Sequence, residues 1–328
     1  MTSSSPSSGT FPSPIPNRVR LIWFGTVICC LSTLLYSCSN LILRGLTGSR
    51  LAPDWILFFK ELVCVVSVTP IILLMSFAGK YRRPRWKWIL CIVLGGTVCE
   101  AVGAELQLWA YNQIGVVITI PLIQTANLIG AAAIGFVCLR EILCRRDSIA
   151  VGVLILSMFC LVFGPPTEPS PVAREAGLPM RVVLGGIGAV LSGAAYSVHV
   201  VFLRYASESR EMPISLMMVI VTGIGMIVFG SSLWLRHGIA GFYEGIPASA
   251  WKWCFLTGVI NTAAFYFQIL GLRYTILARA QLIAVGQIAL ITVVGILYFG
   301  EPANALVWGG IALAILGILI IGKPDRAT

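Results

Sequence analysis

Charge is scarce in these 328 residues: only 11% are Asp, Glu, Lys or Arg, against about 25% in an ordinary soluble protein. So few charges cannot solvate the surface of a typical cytosolic enzyme, and that class is excluded. Histidine is scarcer still, with only His199 and His237, and no CxxC pair occurs, so no zinc-ligand spacing can be assembled. The three aspartates, Asp54, Asp147 and Asp325, are too scattered to hold a metal as an acidic cluster would. GILIIGKP, residues 317–324, approaches a phosphate-binding loop but ends in Pro324 where Ser or Thr is required. ATP hydrolysis is therefore not expected, and neither a metal, a cofactor nor a catalytic residue is assigned.

What the chain has in abundance is apolar surface. Hydrophobic residues make up 58%, and the mean hydropathy of +0.92 exceeds what a globular core of this length can bury. The expected class is an all-α polytopic membrane protein with lipid as its main partner. The net charge of +10 would hint at nucleic acid in a soluble domain. Here the basic residues sit in short loops between apolar runs, so they read as topology signals, and no nucleic-acid partner is expected. Cys29, Cys30, Cys38, Cys64, Cys91, Cys99, Cys160 and Cys254 lie in apolar runs, with Cys138 and Cys144 at a helix end. They read as small buried hydrophobes rather than a disulfide framework.

Residues 1–17 are rich in Ser and Pro with little to bury, so 1–20 is expected to be a disordered cytoplasmic tail. It lacks the basic n-region of a signal peptide, and the apolar run that follows is long enough to be retained as a helix. Crossing roughly 30 Å of hydrocarbon takes about 20 mainly apolar residues. Ten windows qualify, at about 21–43, 55–77, 88–111, 115–139, 148–164, 181–205, 214–236, 251–272, 276–299 and 305–322. With a cytoplasmic N-terminus, 16 Lys and Arg fall on the inner side against 7 outside, the arrangement that the positive-inside rule favours. Both termini are then cytoplasmic, including the tail 323–328, and KYRRPRWK between the second and third windows is the strongest anchor. Trp86, Trp88, Trp251 and Trp253 fit an aromatic belt at helix entrances.

The longest connection, 165–180, divides the ten windows into two sets of five, 21–164 and 181–322. LSTLLYSCSNLILR, residues 31–44, aligns with LSGAAYSVHVVFLR, residues 191–204, at an offset of 160. Leu31, Ser32, Tyr36, Ser37, Leu43 and Arg44 match Leu191, Ser192, Tyr196, Ser197, Leu203 and Arg204. The same offset pairs Glu141 with Glu301. Five helices per copy is an odd number, so duplicated halves must cross the membrane in opposite senses. An inverted repeat of this kind is a common construction for alternating-access transporters.

On these features the chain resembles the drug/metabolite transporter superfamily, specifically proteins with two EamA-like five-helix repeats. The resemblance covers about residues 20–322 and rests on three features. These are the 5+5 plan, the Ser-x3-Tyr-Ser-x6-Arg pattern, and a glutamate after helices 4 and 9 followed by a Gly-rich helix, in LREILCRRDSIAVGVLIL and FGEPANALVWGGIALAIL. It implies a carrier of small metabolites in the bacterial inner membrane, commonly an exporter, with a central cavity and helices 5 and 10 peripheral. One departure is Pro121 in helix 4, where the second half has Gln281. Nothing marks the nucleotide-sugar or sugar-phosphate branches, so no substrate class is inherited. An intramembrane lipid-handling enzyme or lipid flippase using Glu100 and Glu105 is the alternative, and a homodimer is left open.

Ionisable groups within hydrocarbon cost roughly 3 kcal/mol each on insertion scales, so they need an interior or functional explanation. Glu100 shares a face with Gly96, Gly103, Ala104 and Gln107 and should point inward; it either binds substrate or a proton, or packs as a neutral hydrogen-bonded group. Glu105 lies about 140° further around an ideal helix and forms no dyad with it. His199, inside the repeat motif, could take up a proton or remain a satisfied neutral imidazole. Glu100, Glu105 and His199 are the proton-coupling candidates. Lys60 and Glu61 read as snorkelling residues, with Lys60 a possible polar contact across the cavity. The substrate-cavity candidates are Tyr36, Asn40, Glu100, Gln107, Gln124, Asn127, Tyr196, His199, Asn261, Tyr266, Gln268 and Gln287, each alternatively a hydrogen-bonding contact between helices.

Overall fold

Ten helices follow one another in the computed structural model, which describes residues 16–47, 53–79, 84–114, 116–139, 145–162, 178–209, 211–244, 246–299 and 303–320. They are α1 (Pro16–Thr47), α2 (Pro53–Phe77), α3, α4 (Val116–Leu139), α5 (Arg145–Val162), α6 (Leu178–Glu208), α7 (Ile214–His237), α8 (Ala248–Leu272), α9 (Leu277–Phe299) and α10 (Ala305–Ile320). Helix α3 is composite: Trp86–Thr97 is α-helical, Val98–Ala104 is a π-helical segment, and Glu105–Ile114 resumes the α-helix. Each expected window falls on one of these helices. Helices are the form expected here, because within lipid each backbone N–H and C=O has to be satisfied inside its own segment.

Eight of the helices are long and apolar enough to cross a membrane. The other two are α5, which opens on Arg145, Arg146 and Asp147, and α10, which is apolar but only 16 residues long. The protein is thus a multi-pass membrane protein. Of the expected tail 1–20, residues 1–15 lie outside the described residues and Pro16–Arg20 already belong to α1, so the disorder expected for them is corrected to helix; most of the linker 165–180, Glu141, Cys144, Glu301 and the residues after 320 also lie outside the described residues.

Packing runs mainly between the two halves of the chain. Helix α1 lies against α8 and α9, and correspondingly α6 lies against α3 and α4. Helix α2 packs on α7 and α8, and α7 on α2 and α3. Helices α4 and α9 meet, as do α5 and α10. Exchanging the halves therefore returns the same set of principal neighbours. The largest apolar core follows this exchange, with Cys29, Ile92, Leu203, Met217, Val221, Ile269 and Ile283 drawn from six different helices.

Close approach at the crossings requires small residues. At Gly193 in α6, an added Cβ would run into the Ile123 carbonyl and the Ala126 side chain of α4. At the equivalent place in the first half stands Thr33, whose hydroxyl donates to the Cys29 carbonyl of its own helix at 2.9 Å and lies 3.4 Å from the Ile283 carbonyl of α9. At the end of α7, Gly238 adopts φ +63, a left-handed conformation that costs glycine nothing, and its N–H closes the helix on the Trp234 carbonyl.

The aromatic belt needs a correction. Trp86 and Trp253 are exposed, but Trp88 is buried beside Tyr205 and donates to Glu211 Oε2 at 2.8 Å. Trp251 instead packs edge-on against Trp55 and Phe59. An indole N–H with an acceptor, or a ring with aromatic neighbours, gains more inside the bundle than at an interface. Cysteine burial is likewise mixed: Cys29, Cys64, Cys91, Cys99 and Cys254 are buried, whereas Cys30, Cys38 and Cys138 are exposed on helix surfaces.

Gly193→Ala is expected to destabilise the protein by about 1–3 kcal/mol through overpacking, outweighing the roughly 1 kcal/mol gained in helix propensity. Gly186→Ala in the same helix, with no atom within 4 Å of its added Cβ, is expected to be neutral or stabilising. Thermal melting in detergent of the two variants beside the unmodified protein checks this.

Candidate functional site

The repeat motif makes the polar contacts between halves. From α1, Ser32 donates to the Ala264 carbonyl at 2.8 Å and Tyr36 donates to Gln268 Oε1 at 3.0 Å, both on α8. From α6, Ser192 donates to the Gly103 carbonyl at 2.6 Å and Tyr196 to Gln107 Oε1 at 2.5 Å, both on α3. The donors differ by the offset of 160 and the acceptors by 161, so the two clamps correspond residue for residue. Four of the cavity candidates, Tyr36, Gln107, Tyr196 and Gln268, are spent on these contacts. Asn127 is similarly engaged, donating to Gln281 Oε1 at 3.0 Å between α4 and α9.

Between α1, α2, α3 and α7 the charged residues gather. Glu100 lies in the π-helical segment of α3 and is 8% exposed; Glu61 on α2 is 4% exposed. Lys60 Nζ lies 3.0 Å from Glu61 Oε1. The charges of Lys60, Glu61 and Glu100 act on one another, with Tyr36 in the same field. Both carboxylate side chains press on one spot of α7: a Cβ placed on Gly225 would lie 3.0 Å from Glu61 Cγ and 3.1 Å from Glu100 Oε2. Glycine at 225 therefore leaves room for both acids. Lys60 and Glu61 do not merely snorkel, as the sequence suggested, but join Glu100 at its site.

The π-helical segment alters the geometry expected around Glu100. Its i→i+5 hydrogen bonds widen the turn, so the angle of about 140° between Glu100 and Glu105 that a regular α-helix would give does not apply. The two still have different surroundings: Glu105 feels Asp54 and Arg236, not the Glu61 charge. Asp54 itself binds α7 through Arg236 at 3.4 Å and Ser232 at 2.8 Å.

His199 is buried in the interface of α6 with α3, hydrogen-bonded to the backbone of Gly95. Its Nδ1 has no hydrogen-bond partner among the described residues. Asn261 and Gln287 are buried, Asn40 and Gln124 half-buried, and Tyr266 is exposed with its ring against Phe267. A further ion pair, Arg279 with Asp147 at 3.4 Å, is buried between α9 and α5 and ties the base of α5 to the bundle. Among the described residues no group of three or more His, Cys, Asp or Glu is placed to hold a metal ion.

Comparison with known proteins agrees with this architecture. Residues 183–323, from α6 into the end of the chain, match the model of the EamA-like transporter family, in agreement with the sequence resemblance over that part. No curated protein matches the chain in sequence. Several solved structures share the fold; among them is a crystal structure of a protein with a TM-score of 0.67 at 17% identity, covering 92% of this chain and 96% of its own.

Tyr36→Phe and Tyr196→Phe each remove an equivalent hydrogen bond to a glutamine oxygen. Each is expected to lower stability by about 0.5–1.5 kcal/mol, by similar amounts. Detergent melting of the two single variants and the double variant tests this, and a cost in only one half would break the equivalence of the clamps.

Proposed function

We propose that the protein is a secondary transporter that carries a small metabolite across the bacterial inner membrane by alternating access. In this reading all ten helices span the bilayer, and 21–164 and 181–322 are five-helix repeats of opposite orientation joined by the linker 165–180. Both termini lie in the cytoplasm, as the excess of Lys and Arg on that side favours. The observation that carries the proposal is the correspondence of the two clamps, Ser32 and Tyr36 on α8 and Ser192 and Tyr196 on α3. Equivalent contacts made by two halves of opposite orientation give the molecule two related packings, one open to each side. The EamA-like match over 183–323 supports the same class.

The substrate is expected to pass near Glu100, Glu61 and Lys60, because buried charges in a membrane bundle are expensive and mark substrate or ion pathways. Movement driven by an existing gradient needs no nucleotide; export is the direction the family resemblance favours.

Reconstituted proteoliposomes loaded with a mixed labelled pool of amino acids, nucleosides and small organic cations are expected to release at least one member faster than protein-free liposomes. Release indistinguishable from protein-free liposomes, by protein shown to be folded from its melting transition, would remove the transporter reading.

A further inference from the structure

Glu100 is a buried carboxyl with few partners among the described residues. Its side chain is more than nine-tenths buried, yet among the described residues Oε1 accepts only from the Cys99 thiol, at 3.4 Å, and Oε2 meets no donor. An ionised carboxylate can accept about four hydrogen bonds, and a thiol is a weak donor. The nearest cation, the Lys60 ammonium, is committed to Glu61 at 3.0 Å. Two carboxylates and one ammonium leave one negative charge without a counter-ion, and burial makes that charge costly.

Among the described residues the surrounding elements do not supply the missing cation. Helix α2 offers Lys60, Glu61 and Cys64; α1 offers Tyr36, whose hydroxyl is given to Gln268; and α3 itself adds Cys99. Helix α7 presents Gly225 directly to Oε2, with Thr222 one turn away donating to its own helix at Met218. In the second half, the 161 offset of the clamps sets Asn261 opposite Glu100, so the acid has an uncharged counterpart. The imbalance belongs to one half of the bundle only.

We propose that Glu100 is the substrate-binding counter-ion for a monovalent organic ammonium, and that the Lys60–Glu61 pair keeps the adjoining charge neutral so that the ammonium is attracted to Glu100. This rests on the transporter reading above and adds the substrate class to it. A protonated amine supplies both the positive charge and the N–H donors that Oε1 and Oε2 lack, as a charge-assisted hydrogen bond requires. Gly225 sets only backbone beside Oε2, so no α7 side chain donates to the carboxylate or shields it. When no amine is bound, a proton on Glu100 neutralises the same charge, so amine and proton exclude each other and exchange across the membrane.

The charge count makes a specific demand of Lys60. In Glu61→Gln the ammonium loses its partner and becomes an internal competitor for Glu100, so amine binding should fall. Removing both charges, in Lys60→Met with Glu61→Gln, should restore it.

The test combines two readouts on the full-length protein. In proteoliposomes the labelled pool is divided into monovalent amines, neutral or zwitterionic compounds, and anions, with and without a proton gradient. Flux is expected for amines only, driven by an opposing proton gradient and reduced about tenfold or more in Glu100→Gln, the scale of one charged hydrogen bond. In detergent, dicyclohexylcarbodiimide modification of Glu100, read by peptide mass spectrometry, should be slowed by the pooled amines. That protection should weaken in Glu61→Gln and return in the double variant. Flux of neutral or anionic compounds that Glu100→Gln leaves unchanged overturns this inference while sparing the transporter reading. Absence of all flux removes the transporter reading, and absence of amine protection at Glu100 in folded protein overturns the inference by itself. Protection that is lost in the double variant as in Glu61→Gln overturns the charge-balancing role of Lys60 and Glu61.

Discussion

Neither half of this chain can satisfy its own polar helix faces. Ser32 and Tyr36 find their acceptors on α8, and Ser192 and Tyr196 find theirs on α3. Inside lipid there is no water to take those hydroxyls, so the bundle forms only when the halves interlock. The apolar side of the crossing obeys the same constraint: Gly193 lets α6 approach the Ile123 carbonyl of α4, where Thr33 approaches the Ile283 carbonyl of α9. The neighbour relations that survive exchange of the halves, the shared core and the placing of α3 beside α7 all follow from these crossings.

The charged site depends on that interlocking. Glu100 comes from the first half and Gly225 from the second, and the carboxylate packs against the α7 backbone because α7 carries no side chain there. Glu61 and Lys60 reach the same place because α2 packs on α7. A π-helical segment at Glu100 is consistent with a residue held for a purpose, since such segments are frequent at functional sites. The packing is nearly equivalent in the two halves but the charge is not, so a symmetric scaffold carries an asymmetric site.

Much of the architecture was legible in the sequence because lipid imposes a simple rule on it. Runs of about 20 apolar residues mark helices whatever their neighbours, and all ten expected windows fall on helices. The motif at 31–44 and 191–204 identified the residues that join the halves, although it did not say that they bond to one another's partners. Tyr36, Gln107, Tyr196 and Gln268 read equally as cavity or contact residues; only their pairing distinguishes the two. Glu61 was discounted because, seven residues into its span, snorkelling explained it locally. Its partner in space is 39 positions along the chain and on another helix, and periodicity along one helix carries no information about that. The π-helical turn was invisible for a related reason: VCEAVGA has no residue that forbids an ordinary α-helix.

Whether the two halves cross the membrane in opposite senses can be measured directly. In protein freed of its native cysteines, Ala78→Cys after α2 and Tyr243→Cys after α7 occupy corresponding connections, both exposed. A membrane-impermeant maleimide applied to intact cells should label Tyr243→Cys, and should reach Ala78→Cys only after the membrane is opened. Labelling of both positions from the same side would contradict inverted halves, and with them the alternating-access account.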